Sequence, residues 1–139
     1  MYHPNVWRTT RPLWIAWGLA VVGTLGSLYF SEWMGFAPCP LCWFQRLGLY
    51  PLVVILGLGL WRRDRDVWLY AAPFSLFGLA FAIYHNLLYY GALAGTCSFG
   101  SDCTTRQIDW FGFISIPLMS LAAFVVINVM LWLERERHR

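Results

Sequence analysis

Residues 39–63 read CPLCWFQRLGLYPLVVILGLGLWRR. The charge-free part, Leu47 to Trp61, is only about 22 Å long at the helical rise, too short for a hydrocarbon core of roughly 30 Å. A membrane span here must therefore begin near Leu41, which sinks Arg46 below the interface and leaves Cys42 close to the amino end of the helix. A charge at that depth is costly and more often functional than incidental. The rival reading is that Arg46 snorkels to lipid head groups.

Three more runs have the length and composition of spans. The first lies between Arg11 and Glu32, the third starts after Asp66 and reaches about Leu93, interrupted only by His85, and the fourth runs from Trp110 to Leu133. The expected architecture is an all-α integral membrane four-helix bundle in a single domain, with helices at about 12–32, 41–61, 67–93 and 110–133. Composition agrees. Only 12% of the 139 residues are charged and 59% are hydrophobic, whereas a soluble domain carries about 25% charged residues. The first run follows Arg8 and Arg11, but it is longer than a signal-peptide core and no A-x-A-like site follows, so it is expected to remain as a helix. Trp33, Trp43, Tyr89, Tyr90 and Trp110 fit one interfacial belt, and Trp7, Trp61, Trp68 and Trp132 the other. Pro51, Pro73 and Pro117 are expected to kink their spans, and Gly57 with Gly59 to allow close packing.

The ten basic residues, all arginine, cluster at the amino end, in the turn at residues 62–65 and in the tail, while the other two loops hold one each, Arg46 and Arg106. The positive-inside rule then puts both termini and the middle turn in the cytoplasm, with two short extracytoplasmic loops. No broad basic face exists, which argues against nucleic acid. All four cysteines fall on the outer face, Cys39 and Cys42 in one loop and Cys97 and Cys103 in the other, where disulfides persist.

The C-x-x-C spacing of Cys39 and Cys42 is that of dithiol redox pairs. Unpaired N–H groups and the helix dipole favour negative charge at Cys42. Arg46, four residues on, shares its helix face and is suited both to stabilise a thiolate and to hydrogen-bond a ligand carbonyl. Cys97 and Cys103 bracket a short polar loop. Alone such a pair would be a staple, but two dithiols on one membrane face can exchange disulfides. His85 either bonds a neighbouring helix or belongs to a ligand site. Glu32, Asp102, Asp109 and Arg106 are expected to be solvated or interfacial charges.

Cys39-Pro40-Leu41-Cys42 followed by Arg46, and Cys103-Thr104-Thr105-Arg106-Gln107 leading to Asp109, Gly112 and Pro117, resemble the DsbB-type disulfide bond formation proteins. The likeness covers nearly the whole chain. The second loop is short, as in the BdbC branch of Gram-positive bacteria. The resemblance implies a thiol oxidase of the bacterial cytoplasmic membrane that reoxidises an extracytoplasmic thioredoxin-fold partner and reduces a quinone, menaquinone or ubiquinone. It implies that Cys97 meets the partner's cysteine and Cys103 resolves it, that Cys39 exchanges with the second loop, and that Cys42 faces the quinone with Arg46 and His85 near it.

Vitamin K epoxide reductase-like proteins resemble this chain in bundle and chemistry, but their C-x-x-C sits near the last helix of the bundle. A four-thiolate metal site is the rival from another class, and the wide C-x5-C spacing and an oxidising compartment count against it. A structural subunit with two staples is a third reading. No resident metal is expected.

Overall fold

A computed structural model describes residues 11–35, 40–64, 66–90 and 115–139. Among these residues there is no strand. Helix α1 spans Arg11–Leu28 and continues into a π-helical turn, Tyr29–Trp33. Helices α2 (Pro40–Arg62), α3 (Val67–Tyr89) and α4 (Ile116–His138) have 23 residues each, about 34 Å of helix. Four helices are thus long and apolar enough to cross a membrane. Each packs against its sequence neighbours and α4 closes against α1, an up-down-up-down bundle.

Helix ends follow local chemistry. Pro40 opens α2, where its missing N–H would have been unpaired anyway and its ring presets a helical φ. The other end of α2 closes in a Schellman motif. Arg63 takes a left-handed φ of 55°, Asp64 N–H donates to Gly59 O at 2.9 Å and Arg63 N–H to Leu60 O at 3.4 Å, which satisfies carbonyls the helix would otherwise orphan. Asp66 N–H then donates to Asp64 Oδ1 at 2.9 Å, so the hairpin from α2 to α3 needs very few residues.

Helix α4 starts later than the sequence predicts. Ser115 is extended (φ −119°, ψ 162°), its Oγ accepts from Leu118 N–H, and Pro117 sits in the first turn. An extended Ser115 interrupts any helix running in from residue 110; residues 110–114 lie outside the described part. Pro117 therefore starts the helix and does not kink it, in contrast to Pro51 and Pro73, which lie within α2 and α3. At its far end α4 continues past residue 133 through Glu134–Arg137. Helix α3 ends at Tyr89, with Tyr90 N–H closing on Asn86 O at 3.0 Å; residues 91–93 are not described.

Away from the Cys42 end the bundle is held by close packing of Leu13, Ala16, Leu52, Leu56, Ala71 and Ile127, all at most 2% exposed. Lipid offers no hydrophobic gain for helix association, so small residues that let backbones approach carry the contact. Helices α2 and α3 cross closely at a pair of glycines. A Cβ added at Gly48 would stand 2.9 Å from Gly78 Cα and 3.0 Å from Phe74 O, and one at Gly78 would run into the Phe124 ring. The expected glycine pair works differently: Gly57 makes room for the Trp17 indole and Gly59 for Val67. The Trp17 Nε1–H donates to Val53 O at 3.1 Å, pinning α1 to α2. Trp33, Trp43, Tyr90, Trp61 and Trp132 are exposed as a belt requires, whereas Tyr89 is buried at 9% exposure and makes an edge-on contact with Tyr90.

Candidate functional site at the Cys42 end of the bundle

Cys42 lies in the first turn of α2, half-buried, two residues after the helix begins. One turn deeper, Arg46 is tied to α1. Its Nε–H donates to Ser27 Oγ at 2.8 Å and one Nη2–H to Ser27 O at 3.1 Å, and Nη2 also donates to Ser31 Oγ. The guanidinium carbon lies 5.2 Å from the Trp43 ring centroid, a distance at which cation–π attraction operates. The side chain thus turns to α1 and is held there.

Between Cys42 and Arg46 in sequence, Gln45 faces α3. It is buried, and its Nε2 is hydrogen-bonded to His85 Nδ1 at 3.2 Å. His85 is itself 3% exposed. It therefore bonds a neighbouring helix and stands behind Gln45, one layer back from the space that Gln45 lines. Further polar ties close the same end. Asn86 Nδ2–H donates to Pro117 O at 2.8 Å, and the Tyr90 and Ser115 hydroxyls are 3.2 Å apart. Buried polar groups must find partners, and these lock α3 to the start of α4.

The space lined by Gln45 is a cavity of about 510 Å³ between α1, α2 and α4. Cys42, Arg46, Gln45, Ser27 and Ser31 line the end nearest the start of α2, and Leu19, Val22, Leu49 and Phe124 line the rest. Polar groups clustered at one end of an otherwise apolar pocket are the usual form of a site that orients a mostly apolar ligand. Sequence reading brought Cys42 and Arg46 to this wall. It did not single out Gln45, Ser27 or Ser31, although a glutamine beside an arginine within a span, and serines one turn apart in an apolar helix, were visible signals.

Cys39, Cys97 and Cys103 lie outside the described residues. Cys39 directly precedes Pro40, and the segment carrying Cys97 and Cys103 departs from Tyr90 and returns at Ser115. Asp102, Arg106 and Asp109 fall in that segment too. Glu32 is exposed in the π turn.

Residues 10–133 match the model of the family described as disulfide bond formation protein DsbB. Among similar curated proteins are a probable disulfide formation protein C 2 of Bacillus cereus, 42% identical over 94% of this chain and 96% of its own, and the disulfide bond formation protein C of Bacillus subtilis, 41% identical over 87% of this chain and 90% of its own. A probable disulfide formation protein of Metapseudomonas resinovorans is 39% identical over 93% and 92% of the two chains. No solved structure matches the chain significantly. A match that runs through all four helices, on a chain with a C-x-x-C at the mouth of α2 and an arginine one turn below it, settles the assignment: the chain belongs to the DsbB family of disulfide bond formation proteins.

Proposed function

We propose that this protein is a protein-disulfide:quinone oxidoreductase that reoxidises an extracytoplasmic thioredoxin-fold thiol oxidase of the DsbA or BdbD kind. The observation that carries the reading is the cavity wall that joins Cys42, the arginine of the first α2 turns and an apolar trough of about 510 Å³. A planar dicarbonyl head with an isoprenoid tail matches this donor set: a cation and hydroxyls at one end, hydrocarbon beyond. Menaquinone or ubiquinone fits equally on these grounds.

In the proposed sequence a partner thiolate attacks the Cys97–Cys103 disulfide, Cys103 leaves, and the partner's second thiol displaces Cys97, so that two electrons and two protons pass to this pair. A thiolate of the reduced pair then opens the Cys39–Cys42 disulfide by the same exchange. The quinone, when bound, accepts the two electrons and two protons released as Cys39 and Cys42 close their bond again. Arg46 would hold a carbonyl oxygen of the head and, four residues from Cys42, would stabilise negative charge on its sulfur. Gln45 and His85 orient the wall beside it. The cysteine end of the bundle faces outward across the bacterial cytoplasmic membrane, and the arginines at the α2–α3 turn and after residue 134 face the cytoplasm.

The test is quinone reduction by purified full-length protein supplied with a reduced thioredoxin-fold oxidase. Wild type should turn over and Cys42→Ser should show no steady-state turnover. Steady quinol production by Cys42→Ser would overturn the scheme.

A further inference from the structure

Two serines, one in the last turn of α1 and one in the π turn, explain how the half-buried Arg46 is held and aimed. Arg46 has five N–H donors. Three of them are spent on α1, through Ser27 Oγ, Ser27 O and Ser31 Oγ. Among the described residues nothing accepts from the two remaining, on Nη1, and Arg46 lines the cavity. Ser27 is in the last turn of α1 and Ser31 in the π turn, where Met34 N–H reaches back five residues to Tyr29 O at 3.2 Å. A π turn widens the helix and shifts the angular position of everything after it. Ser27 and Ser31, four residues apart, share the helix face turned to α2, and both hydroxyls accept from one guanidinium edge.

We propose that Ser27 and Ser31 are positioning residues for the oxidoreductase reaction: they immobilise one edge of Arg46 so that the opposite edge is presented, already desolvated and oriented, to a ligand carbonyl. This rests on the proposed quinone site. Preorganised donors bind without a further ordering cost, and a planar guanidinium loses little freedom per bond once its plane is fixed. Without the clamp, the long side chain is at liberty to swing toward head groups. The charge would still be there, but no longer in place.

The experiment uses the full-length protein in nanodiscs with a reduced thioredoxin-fold oxidase, comparing Ser27→Ala, Ser31→Ala, the double variant, the hydroxyl-retaining Ser31→Thr, and Thr24→Val. Thr24 is on the same helix and its buried hydroxyl has no hydrogen-bond partner among the described residues. Losing a hydrogen bond to a charged group should raise the KM for quinone about tenfold in the double variant. The KM for the protein partner should stay unchanged, Ser31→Thr should recover most of the loss, and Thr24→Val should behave as wild type. A second readout needs no turnover: phenylglyoxal labelling of Arg46, followed by peptide mass mapping, should be faster in the double variant. If wild type turns over and the double variant keeps both its quinone KM and its labelling rate, the clamp is refuted and the proposed function stands. If wild type reduces no quinone, the proposed function falls and the clamp is judged on labelling alone, faster labelling upholding it and an unchanged rate refuting it.

Discussion

The two halves of the bundle are built on different principles. Around Leu52, Leu56, Ala71 and Ile127 the helices meet mainly through apolar and small side chains, by dispersion between surfaces that fit, with single side-chain ties to the backbone from Trp17 to Val53 O and Asn128 to Ser75 O. Around Cys42 they meet through pairs of polar groups: Arg46 with Ser27 and Ser31, Gln45 with His85, Asn86 with the Pro117 carbonyl, and Tyr90 with Ser115. The same two helices, α2 and α3, take part in both. The contrast teaches that stability and chemistry are divided along the helix axes. The apolar half fixes the distances between helices, and the polar half uses those fixed distances to hold side chains in place.

Lesions in each half should therefore read out differently. Leu56→Ala opens a void in the apolar half and should lower unfolding free energy by about 2 kcal/mol, the low end for such truncations because the unfolded chain remains in hydrocarbon. Measured by denaturant titration in detergent, that loss should come with an unchanged KM for quinone. Gln45→Leu strikes the polar half. It removes the hydrogen bond to His85 Nδ1 and should cost only about 1 kcal/mol of stability, yet turnover at limiting quinone should fall several-fold in the same assay. If Leu56→Ala disturbed quinone KM as much as Gln45→Leu, the division would be wrong. The smallest effect is expected in the turn between α2 and α3. Arg63 bears the left-handed conformation at φ 55° that glycine adopts freely, so Arg63→Gly should raise stability by about 0.5 kcal/mol, visible as a slightly higher unfolding midpoint with turnover unaffected.

What the sequence made legible was set by length and charge. A fifteen-residue apolar run ending at Trp61 cannot span, so α2 had to start near Leu41, and it starts at Pro40. The same argument placed Arg46 inside the helix. Features that depend on rotation about a helix axis were not legible. No residue type announces a π turn, so the widening at Tyr29–Trp33 could not be read from the sequence. The Gly57 and Gly59 pair was conspicuous as a pattern, but the glycines at which two backbones meet are Gly48 and Gly78, which are far apart in sequence and come together only through the crossing of α2 and α3. Tyr89 and Tyr90 look alike on paper; one faces inward and the other out. The belt rule reads composition near an interface, not the azimuth of a side chain.

The π turn also has a bearing on ancestry and engineering. Such a turn amounts to one surplus residue absorbed by a helix without breaking it. Excising a single residue between Tyr29 and Trp33 would let α1 run on as an ordinary α-helix and would change which of the turn's own side chains faces Arg46. Related proteins that differ by one residue at this point are therefore not simply longer or shorter: they offer a different side chain to the arginine, and any graft between them must carry the whole turn or lose the fit.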